Sequence, residues 1–163
     1  MTAHLERITA QNAMAFKETR LAALLDSPRA FESKHDNELL LTDEEWVERA
    51  VKWGGIRFLA NGDGYHCGIA AGVLDYRDAS RAYLLSMWVA PTHRRKGIGQ
   101  MLVTAVQEWA KSVSAMHLVL DVTSNNAAAI AFYESLGFTM TGKTSPYCND
   151  PALLECEMSL SLQ

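Results

Sequence analysis

Residues 94–99 read Arg94-Arg95-Lys96-Gly97-Ile98-Gly99 and lie directly between a strand-like apolar run and a long helical stripe. The start of a helix leaves about four backbone N–H groups unpaired and carries a partial positive charge. Glycines at this point let a phosphate approach the main chain without a Cβ in the way. With three basic side chains beside them, these features predict a pyrophosphate cradle. The alternative is a solvated basic turn that caps a helix.

Two other phosphate-binding motifs fit this stretch poorly. A P-loop requires Gly-Lys-Ser/Thr at the helix start, whereas Gly99 is followed by Gln100 and Met101. A dinucleotide fingerprint requires a third glycine at the position that Leu102 occupies. A phosphate-binding NTPase is therefore the least favoured interpretation.

The sequence after the glycines predicts a helix, a strand and a second helix. Apolar residues recur at helical spacing along residues 98–110, which indicates an amphipathic helix. Residues 116–122 are typical of a strand, and residues 126–136 of a helix that Asn126 caps and Gly137 ends. A strand, a helix and a further strand in succession imply a crossover connection.

The sequence before the glycines predicts an antiparallel meander. Residues 56–60, 65–74 and 83–89 form apolar runs that turn-forming residues separate. A meander followed by a crossover implies a mixed, mostly antiparallel twisted sheet flanked by helices, an α/β (α+β) fold. Because no linker or repeat divides the chain, we expect a single domain over residues 1–163.

The flanking segments add two helices. Residues 10–25 have helical spacing behind a Thr9 cap, and Thr42 with Glu45 forms a capping box that starts another helix. Residues 26–41 are irregular, and we expect four of them to be buried: Phe31, Leu39, Leu40 and Leu41.

The last strand, Leu153–Leu160, alternates between apolar and polar residues and is expected to be half exposed at a sheet edge. Exposed edges invite pairing with another chain. This strand therefore predicts a homodimer.

Composition excludes several classes of protein. The 163 residues are 48% hydrophobic and 21% charged, with a net charge of −4 and three widely spaced cysteines. No apolar run approaches the ~20 residues that span a bilayer, so we expect no membrane partner. The lack of a basic excess argues against nucleic acid as a partner. The cysteine pattern predicts no metal site and favours a reducing cytoplasm.

Two motifs resemble the GNAT superfamily of N-acetyltransferases. Residues 94–99 match the family's loop of Gln or Arg, two residues, Gly, one residue, then Gly or Ala. Residues 126–138 match its second landmark: an Asn, two residues, an Ala, an aromatic-Tyr pair and a Gly-Phe end. The resemblance is strong over residues 83–138, about a third of the chain. It implies a GNAT-like acyl-CoA N-acyltransferase fold, with acetyl-CoA as cosubstrate and no metal.

The resemblance also implies where coenzyme A binds. Backbone N–H groups and basic side chains of the loop would hold its pyrophosphate: Arg94, Arg95, Lys96, Gly97, Ile98, Gly99 and Gln100. The backbone of Met87, Trp88 and Val89 would pair with the pantetheine arm as if with an edge strand. Asn126 would add a polar contact, although a helix cap alone also explains this residue.

By the same resemblance, two groups carry the chemistry. The backbone N–H of Met87 would stabilise the negative charge on the thioester oxygen. The phenol of Tyr133 would protonate the departing thiolate, and the alternative is that Tyr133 is a core aromatic. Some family members have a Glu four residues before the Met87 position, where this chain has Tyr83. Four other side chains remain candidate bases through water: Glu32, Glu38, Asp75 and His117. A chain of water molecules with no dedicated base is an equal alternative.

The implied acceptor is a primary amine on a small molecule or a protein. Residues 26–55 hold eight acidic and four basic residues, which would attract a cationic amine; solvated helix faces are the alternative. A second function remains open, a non-catalytic acyl-CoA-binding or sensing module. Tyr133 favours the enzyme, and the missing carboxylate at Tyr83 favours the module.

Overall fold

The computed structural model describes residues 2–163, and seven strands form a single sheet. They are β1 (Ala3–Arg7), β2 (Ile56–Gly62), β3 (Tyr65–Asp75), β4 (Asp78–Val89), β5 (His117–Thr123), β6 (Thr139–Tyr147) and β7 (Asp150–Ser161). Their order across the sheet is β1-β2-β3-β4-β5-β7-β6. Strands β4 and β5 are parallel, and the other neighbouring pairs are antiparallel. The expected mixed, mostly antiparallel sheet is confirmed.

Helices cover the sheet, and several of their predicted starts are confirmed. They are α1 (Ala13–Asp26), α2 (His35–Leu39), α3 (Asp43–Val51), α4 (Ile98–Ser112) and α5 (Ala127–Ser135). Thr42 and Glu45 form the reciprocal capping box of α3, and Asn126 accepts the N–H of Ala129 at the start of α5. Among residues 2–163, no helix has the length and apolar character to cross a membrane.

Two apolar cores lie on opposite faces of the sheet. On one face, the predicted stripe of α4 packs against the inner strands, with Leu102, Val106, Leu118 and Leu120 buried. On the other face, α1 and α3 pack against the meander, with Phe16, Trp46, Leu59, Ile69 and Trp88 buried. The sheet is therefore covered on both sides, and ligand access depends on a break within it.

That break begins with a β-bulge in β4. Ser86 and Met87 together stand opposite the single residue Ala70 of β3, and Ser86 has a φ of 55°. An extra residue in a strand turns every later side chain to the other face. Leu84 accordingly packs in the α4 core, whereas Trp88, four residues later, packs in the α1 core.

The pairing between β4 and β5 ends just before the bulge. Their parallel pairing covers only Arg81–Tyr83 against His117–Val119. The main chain of β4 from Leu84 onward consequently has no strand partner on the β5 side. The strands diverge and leave a gap in the middle of the sheet.

The predicted position of the last strand is wrong. Leu153–Leu160 lies within β7, which pairs with β5 on one side and β6 on the other, so it is not at an edge. The edge strands are β1 and β6, neither of which was predicted. Residues of β6 are exposed along nearly its whole length, so they lack the alternating pattern that reveals a half-buried strand.

The expected burial of residues 26–41 is correct only in part. Phe31 is buried, but Leu39 and Leu40 are 54% and 82% exposed. The buried residue of α2 is the acidic Glu38. Two arginines account for this, because Arg20 donates from Nε and Nη2 at 3.2 and 3.1 Å, and Arg49 donates from Nη1 at 2.8 Å.

The two arginines also determine the ionisation of Glu38. Burial by itself raises the pKa of Glu38, but hydrogen bonds and charges from Arg20, with the charge of Arg49, outweigh it and lower the pKa below its ordinary value. A carboxyl group whose pKa is lower in the folded state stabilises the fold above its unfolded pKa. That stabilisation is lost as the pH falls through the folded pKa.

We expect Glu38→Gln to lower the free energy of unfolding by about 3 kcal/mol near neutral pH, because it leaves two arginines without their carboxylate. The penalty shrinks at acidic pH, as the pH falls through the lowered pKa of Glu38 and the wild-type carboxylate is itself protonated. Urea unfolding at several pH values measures both effects. The control Glu48→Gln, on the exposed side of α3, leaves stability nearly unchanged. A penalty for Glu38→Gln that does not depend on pH contradicts this account.

Candidate active site

A cleft of about 300 Å³ opens where β4 and β5 separate. Strand residues 84–87 and 120–123 form two of its walls, helix α5 a third, and residues 29–33 a fourth. The cleft thus combines three predicted site residues from distant parts of the sequence: Met87, Asn126 and Tyr133.

Tyr133 lies half-buried on α5, with its ring packed 5.2 Å from the ring of Phe132 and 5.6 Å from that of Phe138. Its side chain lines the cleft, and no group in residues 2–163 forms a hydrogen bond with its hydroxyl. Burial raises the pKa of Tyr133, so the phenol keeps its proton across the physiological range. The Tyr133 hydroxyl therefore carries a proton and has no partner among the described residues, although the raised pKa also makes it a weaker acid.

The three predicted strand residues have different surroundings. The Met87 side chain lines the cleft, and its main chain lies in the unpaired part of β4. The Trp88 side chain is buried in the other core, where its indole N–H donates to Asp26 at 3.0 Å. The carbonyl of Val89 accepts a hydrogen bond from Arg94 at 2.8 Å. The side chain of Trp88 is therefore not available to a ligand, and this residue could contribute only its backbone groups.

The predicted cradle has free main-chain donors. Within residues 2–163, nothing accepts a hydrogen bond from the N–H groups of residues 95–100, and the first helical bond of α4 runs from Met101 to Gly97. Arg95 and Gly97 have φ values of 60° and 84°. Left-handed residues that alternate with others in a turn can bring successive N–H groups together into a concave anion site.

The basic side chains of the cradle do not act as one set. Arg94 donates to Asp26 at 2.7 Å, so its charge is largely neutralised. Hydrogen bonds from Trp88, Ser27 and Arg94 also lower the pKa of Asp26, against the effect of burial. Of the three basic side chains predicted at the loop, Arg94 is thus paired with Asp26, whereas Arg95 and Lys96 form no ion pair within residues 2–163 and are exposed.

The two cradle glycines meet different requirements. A Cβ on Gly97 would point into open space, whereas a Cβ on Gly99 would lie 3.1 Å from Phe132 and 3.3 Å from Met87. Gly97 thus leaves room above the loop, and Gly99 allows α4 to pack closely against α5. Between them, Ile98 is buried in the core and Gln100 is exposed.

The cleft also contains three carboxylates, Glu32, Asp121 and Glu155, called the acidic trio below. Partial burial raises the pKa of Asp121, and the charges of Glu157 and Glu32 raise it further. Burial raises the pKa of Glu155, and Asp121 and Glu32 add to the effect. No member of the trio forms an ion pair within residues 2–163. The trio therefore brings negative charge to the cleft that Tyr133 lines, where Arg29 is also part of the lining and Arg81 and Lys143 offset part of the charge around Asp121.

Sequence reasoning named Glu32 as a candidate base but missed Asp121 and Glu155. The available signal was the acid that interrupts the apolar β5 run and the acids that alternate along β7. Pairing of β5 with β7 places Asp121 opposite Glu157 and Thr123 opposite Glu155. Residues paired in this way share a face of the sheet.

The other candidate bases lie elsewhere. Glu38 is bound by Arg20 and Arg49, and Asp75 accepts the hydroxyl of Tyr83 at 3.3 Å. His117 is exposed at the start of β5 and does not line the cleft. Within residues 2–163, no group of three or more His, Cys, Asp or Glu side chains has the arrangement to hold a metal ion.

Comparison with known proteins identifies the family. A model of the acetyltransferase (GNAT) family matches residues 20–138. The chain belongs to the GNAT acetyltransferase family. The resemblance seen in the two motifs is thereby confirmed, and the match also includes the end of α1 from residue 20, the irregular segment after it and the meander.

One curated relative is the streptothricin acetyltransferase of Streptomyces lavendulae, 46% identical over 57 residues. The matched region covers 35% of this chain, and it spans only 30% of that relative.

Solved structures confirm the fold over the whole chain. The crystal structure of nourseothricin acetyltransferase has a TM-score of 0.62 and 30% identity, covering 68% of this chain and 66% of that one. The structure of yncA, a putative acetyltransferase from Salmonella typhimurium solved with acetyl-CoA, has a TM-score of 0.74 and 24% identity. That match covers 100% of this chain and 95% of the other.

We expect Gly97→Val to weaken acetyl-CoA binding about tenfold or more, because the branched side chain would occupy the open space above the free N–H groups. Isothermal titration calorimetry measures the affinity.

The matched control is Gly64→Val, which also forces a branched residue into a left-handed backbone conformation but lies outside the cradle. Gly64 has a φ of 86°, against 84° for Gly97, and also faces open space. Equal acetyl-CoA affinity in the two variants contradicts a phosphate site at Gly97.

Proposed function

We propose that this protein is an N-acetyltransferase that transfers the acetyl group of acetyl-CoA to a primary amine by direct attack. The observation that carries the proposal is the unpaired hydroxyl of Tyr133, which lines the same cleft as Met87 and the acidic trio. Membership of the family supports the reaction class. The acetyl-CoA in the yncA structure supports the choice of cosubstrate.

Coenzyme A would be held mainly by main-chain groups. The free N–H groups of residues 95–100 suit a pyrophosphate, and exposed Arg95 and Lys96 add positive charge. The unpaired edge of β4 offers N–H and C=O groups to the amides of the pantetheine arm, in the manner of an added strand. Asn126 lines the cleft as well as capping α5, so it is available for a further polar contact.

The reaction then divides between the two walls of the cleft. Attack by the amine nitrogen forms a C–N bond and places negative charge on the carbonyl oxygen, which the backbone N–H of Met87 would stabilise. Collapse breaks the C–S bond, and the Tyr133 phenol would give its proton to the departing sulfur. No covalent enzyme intermediate is needed.

The acidic trio would receive the acceptor. Most primary amines are protonated at neutral pH and must lose a proton before attack. Asp121 is our candidate base, because it lies on β5 facing the cleft and its pKa is raised. A carboxyl group whose pKa is nearer neutrality is a stronger base. Three carboxylates without ion-pair partners favour a cationic acceptor, whether a small molecule or an amine of a protein.

The alternative, a non-catalytic acyl-CoA-binding module, has one observation in its favour. Tyr83 occupies the place of a carboxylate in some family members, and its hydroxyl is bonded to Asp75. The acidic trio offers another source of a base, and for this reason we prefer the enzyme.

Three further features complete the proposal. Residues 1–163 would act as a single domain, in the cytoplasm, where the free thiols of Cys67, Cys148 and Cys156 suit a reducing environment. A homodimer would form through exposed β6 instead of the final strand.

Light scattering at micromolar concentration tests whether the protein is a dimer that forms through β6. We expect twice the monomer mass for wild type and the monomer mass for Thr144→Pro, which disrupts the β6 edge.

Release of free thiol from acetyl-CoA, followed with L-lysinamide among other amines, tests the proposed activity. We expect Tyr133→Phe to lower kcat about 10²- to 10³-fold, because it removes the proton donor and keeps the ring. The affinity for acetyl-CoA and the melting temperature should change little. A kcat within about threefold of wild type at equal stability would return Tyr133 to a packing role. Tight acetyl-CoA binding without thiol release for any amine would support the binding module.

The base has its own signature in the pH profile. Wild-type kcat/KM should rise with pH as Asp121 loses its proton, and this rise should lie above the range of an ordinary aspartate because the pKa of Asp121 is raised. We expect Asp121→Asn to lower kcat/KM about 10²-fold near pH 7 and much less near pH ~10, where the amine deprotonates in solution. The control Glu134→Gln removes an equal charge from the exposed side of α5. A loss for Asp121→Asn that is the same at both pH values contradicts its role as a base.

A further inference from the structure

The wall of the cleft formed by residues 29–33 is held from the far end of the chain. Tyr147, at the end of β6, donates its hydroxyl to the carbonyl of Phe31 at 2.8 Å. The side-chain amide of Asn149 donates to the carbonyl of Glu32 at 3.0 Å and to that of Phe31 at 3.4 Å. It also donates to the hydroxyl of Tyr147 at 3.2 Å. These contacts, called the strap below, join residues 116 to 118 positions apart.

The strap binds a stretch of backbone that lacks the hydrogen bonds of a helix or a strand. After the turn at Pro28–Ala30, residues 31–34 belong to neither a helix nor a strand. Their carbonyl groups therefore need side-chain or water donors. The Tyr147 bond is buried, and Tyr147 and Phe31 are only 2% and 5% exposed. If the buried carbonyl of Phe31 loses this donor and gains no other, the free energy of the folded state rises.

The same segment contributes to the acceptor end of the cleft. It provides Arg29, Phe31 and Glu32 to the lining, and Glu32 is a member of the acidic trio. A second anchor reaches Phe31 from α1, where the guanidinium of Arg20 lies 4.9 Å from the centre of the ring. The ring of Phe31 is thus held from α1, and its carbonyl from the hairpin between β6 and β7.

We propose that Tyr147 and Asn149 are positioning residues that set acceptor specificity, by holding Glu32 in place against Asp121 and Glu155. The inference rests on the proposed transfer to an amine and adds residues that touch neither substrate. Neither Tyr147 nor Asn149 lines the cleft or belongs to the cradle. We therefore expect loss of the strap to act mainly on the acceptor and to leave coenzyme A binding unchanged.

Asn149→Asp is the decisive variant. It replaces the amide donor with a carboxylate that faces two carbonyl oxygens, so both contacts become repulsive. With L-lysinamide as the acceptor, we expect its KM to rise about tenfold or more. The KM for acetyl-CoA should stay within about twofold and kcat within about threefold. Tyr147→Phe, which removes one donor and keeps the ring, should raise the acceptor KM by a smaller factor.

The matched control is Asn61→Asp, near the end of β2. The Asn61 side chain accepts the N–H of Gly64 at 3.1 Å, and an aspartate keeps that bond while it adds the same charge far from the cleft. Asn61→Asp should leave both KM values unchanged. A purely structural role for the strap would instead lower kcat and the melting temperature without separating the two KM values.

Limited digestion with trypsin tests the strap without any activity measurement. Arg29 and Lys34 flank the strapped residues, and both are exposed. Asn149→Asp should speed cleavage at these two sites severalfold relative to wild type and Asn61→Asp. Unchanged cleavage overturns the strap. Faster cleavage with an unchanged acceptor KM overturns its role in specificity. A wild-type protein that transfers acetyl to no amine contradicts the proposed function, and the digestion then still decides whether the strap exists.

Discussion

The site depends on one constraint, the β-bulge at Ser86 and Met87. It turns the later side chains of β4 to the opposite face and marks the region where β4 no longer pairs with β5. Continuous pairing would close the sheet and remove both the cleft and the unpaired main chain. Arg20 holds the bulge, because its guanidinium donates to the hydroxyl of Ser86 at 2.9 Å while also binding Glu38.

The arginine connects several parts of the molecule that would otherwise be independent. From α1 it reaches α2 through Glu38, the bulge through Ser86, and the wall of the cleft through Phe31. Each contact satisfies a group that would be costly to leave alone in a half-buried place. Arg20 thus couples the position of the bulge to the position of the cleft wall at Phe31, without itself having to contact a substrate.

The two ends of the site use different chemistry. In the proposed function, the coenzyme A end would rely on main-chain donors and on glycines, so its specificity would come from backbone shape. The proposed acceptor end would rely on side chains from three places: residue 32 after α1, residue 121 on β5 and residue 155 on β7. Such a division allows the acceptor to change while the cofactor end keeps the same backbone geometry.

The sequence alone was sufficient for the family, the meander, the crossover and the helix caps, because each depends on neighbours within a few residues. The cradle glycines and the Asn126 cap belong to this class. Only the tertiary structure revealed edge strand β6, the pairing of Arg94 with Asp26 and the acidic trio. Members of the acidic trio lie up to 123 positions apart in the sequence. No local sequence pattern specifies the register in which β5 pairs with β7. Contacts between distant segments depend on the order of the strands in the whole sheet. Local hydrophobic periodicity therefore does not predict them.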